Sequence, residues 1–64
     1  MLRGSLVRVN NKEKVKTLRG TIGIVIDRVK KTGYIRLYSK YEGYIVALCF
    51  PEDSLDIIEG PIEL

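Results

Sequence analysis

The stretch Gly20-Thr21-Ile22-Gly23-Ile24-Val25-Ile26-Asp27-Arg28-Val29-Lys30-Lys31-Thr32-Gly33-Tyr34-Ile35-Arg36-Leu37-Tyr38 decides the fold. It reads as two strands rich in β-branched and aromatic residues, joined by a short basic turn ending in glycine. Gly33 closes that turn because it takes positive φ without steric cost. In the first strand Ile22, Ile24 and Ile26 fall on one face, with Gly23 and Val25 on the other, so the pattern predicts a central strand buried on both sides. Gly23, inside a strand, marks a bend, a bulge or a close backbone approach. The second strand, 34–39, sets Ile35 and Leu37 against Tyr34, Arg36 and Tyr38.

Working outward, residues 5–9 alternate as a first strand, with Val7 and Val9 on one side and Arg8 on the other. Residues 10–18 form a charged loop that opens on Asn10-Asn11 turn chemistry and tucks Val15 or Leu18 inward. A helix over 12–18 has too little apolar periodicity to be favoured. After the turn 40–43, Tyr44 to Phe50 is a fourth strand that Pro51 ends. Residues 51–54 then fit one turn of 3₁₀ helix, residues 55–58 a last short strand, and residues 59–64 an edge segment or a frayed tail. The expectation is one all-β domain over 1–64, a small five-stranded SH3-like barrel.

Composition agrees with one folded domain: 64 residues, 45% hydrophobic, 30% charged, with a mean hydropathy of +0.01. The longest apolar run, 44–50, falls far short of the roughly 20 residues that span a bilayer, so membrane insertion is not expected. Residues 1–5 lack the apolar segment of a secretory signal and a lone cysteine forms no internal disulfide, so a cytoplasmic location is the default expectation. Among apolar neighbours, Cys49 reads as a buried small hydrophobe.

With no histidine, no patterned pair of carboxylates and one cysteine, nucleophilic and metal chemistry lack their usual parts. The expectation is therefore a non-enzymatic protein with no catalytic residues, metal or cofactor. The prominent functional signal is charge. All eleven Lys and Arg lie in residues 1–40 against two acids, a net +9, while residues 41–64 hold six acids and no base, a net −6. The overall charge is +3, with a pI near 9.2. Folding can interleave the two parts, but the split suggests a basic surface for an anionic partner.

The candidate nucleic-acid contacts are Lys12, Lys14, Lys16 and Arg19 in the first loop, Arg28, Lys30 and Lys31 at the hairpin, and the face Tyr34, Arg36, Tyr38. The last three combine stacking rings with a cation between them, as single-strand binders do. A plainer reading stands beside this one. Loop lysines also solvate a small domain, and Tyr34 and Tyr38 fit as packing partners of Tyr41 or Tyr44.

Gly4-x-x-Val7-x-Val9, Arg19-Gly20-x-x-Gly23-x-Val25 and Tyr34-Ile35-x-Leu37 resemble the KOW motif of ribosomal proteins and NusG-type transcription factors, over about half the chain. The resemblance implies an SH3-like barrel that contacts RNA or a nucleoprotein assembly. Residues 2–9, Leu-Arg-Gly-Ser-Leu-Val-Arg-Val, are also similar to the opening of the small SH3-like stromal protein of photosystem I. That weaker likeness implies a docking accessory, or an adaptor, presenting a basic face to an acidic protein. The SH3-like type II dihydrofolate reductases are a remote option, since their Val-Gln-Ile-Tyr strand has no match in Tyr44-Ile45-Val46-Ala47.

Overall fold

The computed structural model describes residues 1–61. Five strands, β1 (Leu6–Val9), β2 (Ile22–Arg28), β3 (Ile35–Tyr41), β4 (Tyr44–Phe50) and β5 (Leu55–Glu59), form one antiparallel sheet in the order β4-β3-β2-β1-β5. This is the all-β, five-stranded arrangement that the sequence predicts. Among the described residues β4 and β5 end the sheet, with no ladder between them. Two 3₁₀ turns, Lys16–Leu18 and Glu52–Ser54, sit in the connections before β2 and β5. No helix among the described residues is long and apolar enough to cross a membrane.

One face of the sheet carries the core. Val7, Val9, Val25, Ile35, Leu37, Phe50 and Leu55 are buried together, with Met1, Leu18 and Leu48 packed against them. The period-2 alternation of the strands selects these residues: β1 buries Val7 and Val9 and exposes Arg8, while β3 buries Ile35, Leu37 and Ser39. Ser39 is accommodated because its hydroxyl donates to the Ile22 carbonyl at 2.7 Å.

Gly23 lies opposite Val7 on one side and Ser39 on the other. A Cβ built there would stand 2.8 Å from the Tyr38 carbonyl oxygen and 3.1 Å from the Leu37 Cβ. Of the roles the sequence allows for this glycine, the close backbone approach is the one the structure displays. The bulge falls further along, between Val25 and Asp27, and brings Asp27 opposite Arg36. At the hairpin turn Gly33 takes φ +75° and its amide donates to the Val29 carbonyl at 2.7 Å. The β3–β4 turn consists of Glu42 (φ +50°) and Gly43 (φ +84°), the left-handed pair that a two-residue type I′ hairpin requires.

Some expectations need correction. β2 is not buried on both sides: Gly23 and Val25 are buried, but Ile22 is 48% exposed and Ile24 and Ile26 are half-buried. Among the described residues no second layer covers that face. Cys49 is exposed, because it alternates outward on β4, which is itself a terminal strand of the sheet. Of the two loop residues that the sequence offers as alternatives for tucking inward, Leu18 is the one that packs on the core, while Val15 stays half-exposed. The strand expected over 55–58 runs one residue longer, to Glu59, and the edge segment or frayed tail expected over 59–64 falls partly on 62–64, outside the described residues.

Candidate functional site

The loop between β1 and β2 would be a poor binding platform if it were loose, and local hydrogen bonds hold it. At its base the Val9 amide donates to the Thr21 carbonyl and the Gly20 amide to the Val9 carbonyl, both at 2.8 Å. Asn10 does more. Its side-chain amide donates to the Asp53 carbonyl (2.9 Å) and to Asp56 Oδ1 (3.1 Å), and its Oδ1 accepts the Lys12 amide at 2.9 Å. One asparagine thus turns the chain and ties the loop to the 3₁₀ turn before β5. Further along, Arg19 Nε donates to the Glu13 carbonyl at 2.7 Å. Asn10→Ala should lower stability by about 1 kcal/mol, read in urea melts, and increase hydrogen exchange across residues 11–18.

Between this loop and the end of β4 lies a groove of about 340 Å³. Val15, Leu18, Phe50 and Pro51 supply its apolar surface and Tyr34 an aromatic wall, while Lys12 and Lys14 bring ammonium groups from the loop. Glu13, Cys49 and Ser54 complete the lining. A flat ring could lie on the apolar surface beside Tyr34 with an attached anionic group at the lysines, a combination suited to a base and its phosphate.

The groove gathers Lys12, Lys14 and Tyr34 from the sequence candidates, and the others lie outside it. Arg28 is held within the fold, one nitrogen donating to the Gly33 carbonyl at 2.9 Å and another to Glu52. Arg36 is half-buried and pairs with Asp27 at 2.9 Å. Lys30 and Lys31 are exposed at the hairpin tip, and Lys16 and Arg19 are exposed in the loop. Tyr38 is on the outer face of the sheet, between Ile24 and Ala47 in register. The face Tyr34, Arg36, Tyr38 is therefore divided: one ring lines the groove, the cation is paired, and the other ring lies elsewhere on the sheet.

The two charged parts of the sequence interleave where β5 joins β1 and sets Asp56 opposite Arg8, and where Glu52 meets Arg28. The hydrogen bond from Arg28, aided by the Met1 ammonium at 3.7 Å, holds the Glu52 carboxyl below its ordinary value of 4.5. A lowered pKa means that the pairing stabilises the fold above the ordinary value and is lost as pH falls through the lowered one. Glu52→Gln should therefore be less stable than the parent at neutral pH, and the two melting temperatures should converge on acidification.

The groove residues absent from the candidate list are Glu13, Val15, Leu18, Cys49, Phe50, Pro51 and Ser54. The sequence held one signal for them, Phe50-Pro51 at the junction of an apolar strand and a tight turn. No family model, no curated protein and no solved structure matches this chain.

Proposed function

We propose that this domain is a non-enzymatic nucleic-acid-binding module of KOW type that takes single-stranded RNA, alone or within a nucleoprotein assembly. The observation that carries this reading is the convergence of Lys12, Lys14 and Tyr34, from two separate segments, on one groove with an apolar surface. Lys16, Lys30 and Lys31, exposed nearby in sequence, add long-range attraction. The glycine and valine spacing that resembles the KOW motif supports the same reading. Binding is electrostatic capture by lysines followed by stacking of one base in the groove.

Fluorescence anisotropy against a single-stranded RNA, a duplex DNA and an acidic protein, each over a range of salt, tests it. If these five lysines meet phosphates, log K should fall against log salt with a slope of about −3.5 on the single strand. Absence of RNA binding at about 50 mM salt, where phosphate contacts are strong, together with tight binding to the acidic protein, would favour the docking-accessory reading instead.

A further inference from the structure

The strongest feature outside the groove is β4. It is a terminal strand of seven residues, and Tyr44 to Phe50 contains no charged residue and no proline. Natural sheets normally guard such an edge with lysine, proline, a bulge or a covering segment. Among the described residues none of these devices protects it, and its pairing with β3 runs without a register shift. The opposite edge differs: β5 carries Asp56 and Glu59 and has a register irregularity against β1.

The turn fixes which backbone groups face outward. Tyr41 and Tyr44 flank a two-residue type I′ turn and so form its hydrogen-bonded closing pair. Alternation then directs the amides and carbonyls of Tyr44, Val46, Leu48 and Phe50 toward β3. Those of Ile45, Ala47 and Cys49 face the open edge. The side chains of these three residues are exposed as well.

We propose that the partner for this edge is a second copy of the same chain, joined by antiparallel β4–β4 pairing about a two-fold axis at Ala47. This register gives the fullest overlap of the strand with itself and places Ala47 opposite its counterpart, with Ile45 opposite Cys49 and Val46 opposite Leu48. Charge decides among the pairings open to two such edges. β4 meets itself without any charged side chain in the ladder. Pairing of β5 with β5 would bring carboxylates together, and pairing of β4 with β5 would leave carboxylates beside an apolar strand. The outer face supplies continuity. In register, Leu6, Ile24, Tyr38 and Ala47 form one row across β1 to β4, and the two-fold axis joins it to the same row of the partner as an apolar stripe across eight strands. Cys49 and Phe50 line the groove at one end of β4, so the dimer carries its two grooves at opposite ends of the shared strand pair. The dimer does not depend on what the grooves bind.

Sedimentation equilibrium of the full chain, under reductant and over a wide concentration range, is the primary test. The mass should rise from 7.3 kDa to twice that value. Ala47→Lys, a change at an exposed position that sets two ammonium groups against each other on the axis, should return the chain to monomer with an unchanged circular-dichroism spectrum. In a Cys49→Ser background, Ala47→Cys should oxidise to a covalent dimer, because opposed residues of a hydrogen-bonded pair lie about 5.5 Å apart at Cα, within disulfide range. A monomer at every concentration would overturn the proposal, as would masses growing beyond the dimer or a dimer that a folded Ala47→Lys variant leaves intact.

Discussion

Gly23→Val should destabilise the domain by about 3 kcal/mol, although valine is the better strand former in isolation. The cause is close approach. A Cβ at position 23 meets the Tyr38 carbonyl oxygen at 2.8 Å, and that atom belongs to the backbone of the adjacent strand, so no rotamer change relieves the contact. The Leu37 Cβ at 3.1 Å and Cδ1 at 3.3 Å crowd the same position. Truncating Leu37 to alanine would remove only the Cδ1 contact, so the double variant should not be rescued; it should lose a further ~3 kcal/mol for the cavity left by a fully buried leucine. Urea denaturation of the single and double variants checks this. A domain of this length is expected to have roughly 3–10 kcal/mol of stability in all, so the double variant should lose more than half of a mid-range stability and unfold at a much lower urea concentration than the parent. A Gly23→Val protein as stable as the parent would show that β2 and β3 can separate locally at little cost.

The largest functional effect should come from changing Lys12, Lys14 and Lys16 together to serine. Three fewer phosphate contacts should reduce the magnitude of the salt slope on single-stranded RNA by about 2. Thermal stability should hold, since the side chains of all three are exposed and surface changes away from structural features stay within about 0.5 kcal/mol. The hydrogen bond of the Lys12 amide to Asn10 uses the backbone and survives the substitution. Tyr34→Ala should weaken binding differently, by about 1–3 kcal/mol with little change in salt slope, because it removes a stacking surface and no charge. Unchanged RNA affinity in the triple variant would reduce those lysines to solvation.

The sequence was most informative where structure follows from period and turn chemistry. Alternation identified the inward residues of β1 and β3, Pro51 marked the end of β4, and the demand for positive φ identified Gly33. Alternation sorts side chains onto two faces, but it does not say whether anything covers the second face. Ile22, Ile24 and Ile26 therefore looked like core, as did Cys49, although they project from the side of the sheet away from the core cluster. The groove was harder to read for another reason. It depends on Asn10 reaching Asp53 and Asp56, 43 and 46 residues away, and on a loop that meets the end of β4 only after the sheet has formed. Charge composition pointed to the lysines correctly as loop residues, but it could not foresee that Glu52 and Asp27 would engage Arg28 and Arg36.

We propose that a single-stranded nucleic acid binds in the groove between the first loop and β4. Titration of a short single-stranded RNA into isotope-labelled protein, followed residue by residue by NMR, tests it most directly. The largest shifts should cluster at residues 12–15, 34 and 49–51, with smaller ones at Lys30 and Lys31, and Tyr38 and Ile45 should stay unmoved at low protein concentration. Shifts centred on the outer sheet face around Ile22, Tyr38 and Lys40, with the groove silent, would contradict it.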